Sequence, residues 1–278
     1  MSRVIISASR RTDLPAWFGG WFTERLREGF FQSVNPFRPS HVRTVSLKPE
    51  DVTAFVFWSK DPQPFMPVLD QLDERGYRYY FQFTVNDYPV FEPNMRSLKE
   101  RLTTFQRLSD RLGPARVLWR YDPIILSNTT PLAYHLDRID TLAGHLQGHT
   151  ERLTISFLDF YRKTKKRLAG LEKKQGITCI DVDWNEHLAD FCRDLQALAG
   201  SYGLRLVSCC EPHAIGMQAG ACIDGELLQR VFGIDKLFAK DKHQRTGCGC
   251  AQAVDMGRYG TCASGCLYCY ANHDNTTC

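Results

Sequence analysis

Short apolar runs alternate with amphipathic stretches from residue 3 to residue 211 of this chain. The apolar runs are RVIISAS (3–9), TAFVFWS (53–59), YRYYFQFTV (77–85), ARVLWRYD (115–122), RLTISFLD (152–159) and LRLVSCCE (204–211). They are rich in β-branched and aromatic residues and nearly continuous in apolar character, which is how strands buried on both faces of a parallel sheet read. Between them, apolar residues recur at three- and four-residue steps. Leu98, Leu102, Phe105, Leu108 and Leu112 form one stripe, ended by Gly113-Pro114. Leu132, Leu136, Ile139, Leu142, Ala143 and Leu146 form a second; Leu188, Phe191, Cys192, Leu195 and Leu198 form a third, closed by Gly200. These stripes predict helices. Residues 63–76 give a shorter helix interrupted near Pro67, and 14–29 is helical in its second half. Segment 31–50 breaks the rhythm and reads as a hairpin or an insertion. Strand–helix alternation implies right-handed crossovers and a parallel sheet. The expectation is an α/β fold, a partial (β/α)6 barrel-like sheet over residues 1–211, with an open doubly wound sheet as the other arrangement that fits.

After Glu211 the rhythm stops. Glycine, cysteine and polar residues dominate 212–278, apart from a helical stretch at 225–233. A segment so poor in apolar periodicity needs another source of order, and metal ligation supplies one. Residues 212–278 are therefore expected to be a cluster-binding segment packed on the barrel mouth.

The chain has 278 residues, 43% of them hydrophobic and 24% charged, which are globular values. No apolar run approaches the roughly 18 residues that span a bilayer. The start, MSRVIISASRR, lacks the apolar region of a signal peptide. The expected location is the cytoplasm, with no membrane partner. The net charge of +4 permits an anionic substrate and does not argue for nucleic acid. The basic stretch 161–174 reads as a solvated helix face. No glycine-rich phosphate loop or G-x-S-x-G elbow is present. His135 and His145 read as helix-surface residues, and His243 and His273 as fallback metal ligands.

The cysteines change the picture. There are eleven, none before Cys179, and Cys209, Cys210, Cys222, Cys248, Cys250, Cys262, Cys266 and Cys269 crowd the last third. In a reducing compartment a clustered set points to metal or iron–sulfur ligation rather than disulfides. Cys179 and Cys192 read as core residues and Cys278 as a spectator. Cys262, Cys266 and Cys269 are spaced C-x3-C-x2-C. A zinc site would pair Cys266 and Cys269 with Cys248 and Cys250. The third cysteine, Cys262, and the trailing YCYA speak instead for iron–sulfur ligation. Three thiolates on one loop can hold three irons of a cubane and leave the fourth open. Polar residues end the predicted strands: Arg10, Arg11 and Asp13; Ser59, Lys60 and Asp61; Thr84 and Asn86; Arg120 and Asp122; Asp159 and Lys163; Glu211. In a barrel they form a ring on one face. Arg10, Arg11, Lys60 and Arg120 suit a carboxylate or phosphate. Asp122 and Glu211 suit an amino group or ribose hydroxyls.

The word C-x3-C-x-Y-C-Y-A resembles the cluster loop of radical S-adenosylmethionine enzymes, in the style of spore photoproduct lyase. The six strand–helix units resemble that superfamily's partial barrel. The ordered words SASRRTD, FWSKDP, FQFT, WRYDPI, ISFLDFY, CGC, DMGRYGTC and GCLYCYAN are similar to the family called domain of unknown function 1848, along the whole chain. One departure matters: in radical S-adenosylmethionine enzymes the three-cysteine loop follows the first strand, whereas here SASRRTD stands there and the cysteines follow the last strand. No Gly-Gly-Glu word follows the second strand.

The cysteines are read as ligands of two [4Fe-4S] clusters, the first implied by the resemblance and the second read from the remaining cysteines, with Cys209 and Cys210 as mere core residues at the end of a buried strand the other reading. One, on Cys262, Cys266 and Cys269, would have an open iron chelated by S-adenosyl-L-methionine, with Tyr268 stacked on its adenine. The C-x-C pair Cys248 and Cys250 needs two more ligands for a closed site, and Cys222 and Cys209 are the nearest unclaimed candidates. The family pattern maps a ligand to Cys209 rather than Cys210. The implied chemistry is cleavage of S-adenosylmethionine to a deoxyadenosyl radical that takes hydrogen from a small-molecule substrate. The implied partner is an electron donor such as flavodoxin or ferredoxin. Two other readings stand beside it: an iron–sulfur enzyme that binds substrate directly at the open iron, and a zinc-stabilised nucleic-acid binding module.

Overall fold

The computed structural model describes residues 3–182, 186–211, 217–245 and 247–272. The six apolar runs become β1 (Val4–Ala8), β4 (Val52–Ser59), β5 (Tyr79–Thr84), β6 (Val117–Ile124), β7 (Arg152–Phe157) and β8 (Arg205–Ser208). They pair in that order, and every pairing is parallel. Two short strands extend the sheet, β9 (Gln218–Ala219) beside β8 and β10 (Val254–Asp255) beside β1. The result is an eight-stranded sheet in the order β10-β1-β4-β5-β6-β7-β8-β9. Among the described residues its two outer strands do not pair with each other.

The segment after β1 forms α1 (Leu14–Trp17) and α2 (Gly19–Glu28), and segment 31–50 is largely an antiparallel hairpin of β2 (Phe30–Asn35) and β3 (Arg38–Ser46). The crossover helices follow: α3 (Val68–Glu74), α4 (Leu98–Leu112), α5 (Leu132–Leu146), α6 (Arg162–Gln175) and α7 (Glu186–Ser201). The α4 start is fixed by a capping box: the Ser97 side chain accepts from the Glu100 amide and Glu100 reaches back to the Ser97 amide. Gly113 ends it. The last helix is α8 (Gly225–Phe232), capped by Asp224.

Parallel strands must be covered on both faces. On one face lies the main core, where Phe22, Phe55, Phe57, Phe65 and Phe81 pack ring against ring among helices and strands. Each such ring stabilises the fold by about 2–3 kcal/mol on burial. On the other face Ile5, Ala54, Val56, Tyr80 and Leu118 pack against Cys222, Ile223, Leu227, Leu228, Cys248, Cys250 and Ala251. The chain after Glu211 therefore covers the second face of the sheet and adds both outer strands to it. No helix among the described residues is long and apolar enough to cross a membrane.

His135 departs from its expected place. It is a residue of α5 and is fully buried on that helix's inner face. Its Nδ1 faces the Tyr121 hydroxyl at 2.9 Å and its Nε2 the Ile125 carbonyl at 3.0 Å. Those partners assign a neutral ring with the proton on Nε2. Burial pushes its pKa down to about 4.

Candidate functional site

The loop that carries Cys262, Cys266 and Cys269 is laid across the carboxyl ends of the strands and held there by named contacts. Tyr268 is buried, and its hydroxyl donates to the Glu92 carboxylate. Glu92 lies in the loop after β5. It also takes a hydrogen bond at 2.7 Å from Lys60, which follows β4, and one at 3.1 Å from Asn86; Arg101 of α4 stands 3.5 Å away. Burial raises the Glu92 carboxyl, but Lys60 and Arg101 outweigh it and hold the group below the usual carboxylate range. The Lys60 ammonium also sits 5.3 Å from the Tyr268 ring centre. The Leu267 amide donates to the Phe91 carbonyl at 2.9 Å. Arg167 of α6 donates to the carbonyls of Leu267, at 2.8 Å, and Cys269. Asn94 donates to the Ala263 carbonyl at 3.0 Å. Gly265 has φ 67°, and a Cβ there would fall 2.8 Å from the Asn94 amide nitrogen, so the close approach requires glycine.

Cys266 is the deepest of the three cysteines. Burial pushes its thiol well above the ordinary value, Lys60 opposes, and Glu92, Cys269 and Cys262 add to the rise. The Cys262 thiol donates to Ser264 Oγ at 3.3 Å, which also accepts from Trp17 Nε1 at 3.0 Å. Cys269 Sγ accepts from the Ala271 amide at 3.4 Å.

The second set is built differently. Cys209 and Cys222 sulfurs lie 3.3 Å apart. Thiol contacts also join Cys209 to Cys210, Cys210 to Cys248, Cys248 to Cys250 and Cys250 to Cys222. The five thiols thus close a ring. Cys209 and Cys210 lie past the end of β8, and Cys210 turns there with a left-handed backbone, φ 60°, which is rare outside glycine. Arg120 Nη1 stands 2.9 Å from Cys222 Sγ, and the Ile223 amide donates to Cys250 Sγ at 3.4 Å.

Both sets border one cleft of about 1080 Å³. Cys269 reaches it from the first set; Cys209, Cys210, Cys222, Cys248 and Cys250 reach it from the second. Arg10, Arg11, Lys60, Arg120, Asp122 and Tyr268 line it as well, so the polar strand ends converge. Arg120 and Asp122 are paired, Nε to Oδ2 at 2.9 Å, and Ser156 donates to the same carboxylate. Burial raises Asp122, yet Arg120 and Ser156 hold it below the ordinary range. Glu211 lies aside from this cleft, in a neighbouring pocket of about 290 Å³ with Asp159, Cys210 and Arg245. It accepts from the Phe157 amide at 2.8 Å, and burial pushes its pKa up to about 7. Asp13 caps α1 and takes the Lys60 amide at 2.7 Å, so it is a structural residue. Asp61 pairs with Arg96 instead of facing the cleft. His243 borders the cleft; His273 and Cys278 lie outside the described residues.

Two residues absent from the sequence reading matter here. Glu92 gathers four partners under the cysteine loop. Asp255 of β10 accepts from Ser7, Ser9 and the Arg10 amide at 2.8, 2.6 and 2.9 Å. It ties the end of β1 to the C-terminal segment.

Fold and site together define an α/β protein whose parallel sheet carries two sets of cysteines at its strand ends, facing a common cleft. The chain belongs to the DUF1848 family, a domain of unknown function, whose model matches residues 5–271. No curated protein matches it.

Proposed function

We propose that the chain is an iron–sulfur enzyme of the radical S-adenosylmethionine type, acting on a small molecule in the cleft. The donor chemistry fits: thiols are gathered in two sets, with basic side chains and backbone amides directed at sulfur. The fit is one of donor type, not of finished spacing. Among the described residues no three His, Cys, Asp or Glu side chains are arranged to hold a single metal ion as they stand. Cys262, Cys266 and Cys269 would hold a cluster with one open iron. Cys222, Cys248, Cys250 and Cys209 would hold a closed one.

When bound, the open cluster with S-adenosylmethionine supplies one-electron cleavage and a radical for hydrogen abstraction, the electron coming from a donor such as flavodoxin or ferredoxin. The chain's own residues position and shield. Glu92, Arg167 and Asn94 hold the cysteine loop against the strand ends. Arg10, Arg11, Lys60 and Arg120 present positive charge to the cleft. Asp122 offers a carboxylate for an amino or hydroxyl group.

The observation that carries this reading is the seating of residues 262–269 over the mouths of β4 and β5 through the Tyr268–Glu92–Lys60 group. The test is to add S-adenosylmethionine to the reduced, iron-loaded protein and to measure 5′-deoxyadenosine and methionine. Both should form, and neither should form with Cys266→Ala. Iron-loaded protein that yields neither would leave direct substrate binding at the open iron as the better reading. Zinc in place of iron would leave the nucleic-acid binding module.

A further inference from the structure

We propose that the cleft's substrate is a planar aromatic or heteroaromatic compound bearing an oxyanion. This rests on the reading of the cleft as the substrate site. Eight Arg and Lys residues line the cleft against four Asp, a surplus equal to the formal net charge of the whole chain, +4. Most of that charge near the strand ends is already answered. Lys60 meets Glu92 at 2.7 Å, Arg245 meets Asp159 at 2.6 Å, and Arg120 is clasped by Asp122. Arg11 reaches Asp255 at 4.0 Å.

Arg10 is different. Among the described residues its guanidinium has no hydrogen-bond partner and no carboxylate within 4.0 Å. Its backbone, in contrast, is pinned at both ends. The amide donates to Asp255 at 2.9 Å and the carbonyl accepts from Tyr270 at 3.0 Å. The guanidinium rests over Trp58, 5.8 Å from the ring centre, and Arg120 lies 5.2 Å from the same ring. Trp58 Nε1 is buried without a hydrogen-bond partner among the described residues. A guanidinium with no direct hydrogen bond, resting on an aromatic plate with Asp255 beyond 4.0 Å, is suited to bidentate capture of a carboxylate or phosphate.

At the rim, Tyr161, Tyr259 and Tyr270 are 45%, 37% and 46% exposed; the Tyr270 ring lies tilted to that of Tyr161, with centroids 5.9 Å apart, and edge-on to that of Tyr259, with centroids 6.4 Å apart. Exposed aromatic rings grouped beside a cationic floor match a flat ring with an anionic tail. The competing account makes Arg10 a counter-ion for the thiolates of Cys222 and Cys250, which lie near it.

Anaerobic calorimetry on the iron-loaded full chain separates the two, with phenyl phosphate, inorganic phosphate and phenol as probes. Phenyl phosphate should bind most tightly, phosphate less so and phenol least. Arg10→Ala should weaken both phosphate probes by about tenfold or more and keep its iron. Arg10→Gln, which keeps a planar group without the charge, should do the same and serves if the alanine variant does not fold. Tyr259→Ala should weaken phenyl phosphate alone. Equal binding of phosphate and phenyl phosphate, or unchanged binding in both Arg10 variants, overturns the proposal. So does loss of iron in Arg10→Gln, which would assign Arg10 to the thiolates. Formation of 5′-deoxyadenosine without substrate reports on the enzyme class separately, and it can persist when the binding result is negative.

Discussion

The two cysteine sets face the same cleft, but different forces hold them. The loop of Cys262, Cys266 and Cys269 is fastened by its non-cysteine residues: the Tyr268 hydroxyl, the Leu267 amide, and the carbonyls of Ala263, Leu267 and Cys269. The second set is fastened by the sheet. Cys222, Cys248 and Cys250 are core residues of the smaller apolar cluster, and their thiols touch one another. One set is a positioned loop over a mouth; the other is a nest of thiols inside the fold. A loop could leave one side of a bound metal open, whereas a nest would enclose what it bound.

The largest effect should come from breaking the loop's anchor. Glu92→Gln leaves Lys60 and Arg101 buried without their carboxylate, at a cost of about 3–5 kcal/mol. Thermal or urea unfolding will read this, and hydrogen exchange should rise over 262–269 while the amides near Cys222 and Cys250 stay protected. Equal loss of protection at both sets would refute the difference drawn between them.

Next in size is the response to acid. Folded His135 has its pKa lowered to about 4 from 6.5, chiefly by burial, so the unfolded chain takes up the proton first. Its contribution to stability is present above pH 6.5 and is lost as pH falls towards 4. The full loss is about 3 kcal/mol. His135 supports Tyr121 and, more distantly, Tyr88, which accepts the Glu92 amide through its carbonyl at 2.8 Å. The loop side should therefore loosen before the nest. His135→Gln should flatten the stability profile between pH 6.5 and 4, although the variant is less stable at pH 7. The slope of the wild type alone does not decide this, because burial raises the carboxyls of Glu211 to about 7 and of Asp13 to about 6, and these gain stability as pH falls through the same window. Wild-type and His135→Gln profiles of equal slope between pH 6.5 and 4 would contradict the assignment.

If the second set holds the proposed cluster, Arg120→Gln should leave iron content unchanged and lower that cluster's reduction potential, because it removes a positive charge beside Cys222 that would favour the more negative reduced state. A spectroscopically monitored redox titration reads it, and an unchanged potential would mean that Cys222 is not a ligand. The smallest effect belongs to Cys210. Its replacement by Ser should spare the iron that replacement of Cys209 by Ser removes, and the reverse result would exchange their roles.

The six strands and most helices were legible because buried parallel strands and amphipathic helices write their periods into the chain. The outer strands β9 and β10 were not, since two residues carry no period. Glu92 was not, because it stands in an aperiodic loop and gains its meaning only from Lys60, Arg101 and Tyr268 meeting there. His135 was readable in principle. It lies three residues after Leu132 and four before Ile139, on the apolar stripe of α5. A polar residue on such a stripe is buried with partners. The fifth member of the thiol ring, Cys210, sits where the backbone turns left-handed, which no spacing rule predicts.

Everything functional depends on the thiols of the two sets binding separate iron–sulfur clusters. Iron and sulfide analysis of anaerobically purified wild type, Cys266→Ala and Cys222→Ala is the most direct check. The wild type should hold roughly eight irons per chain and each variant roughly four. Full iron in Cys266→Ala, or wild type that carries zinc or native disulfides among residues 209–269, would contradict the account.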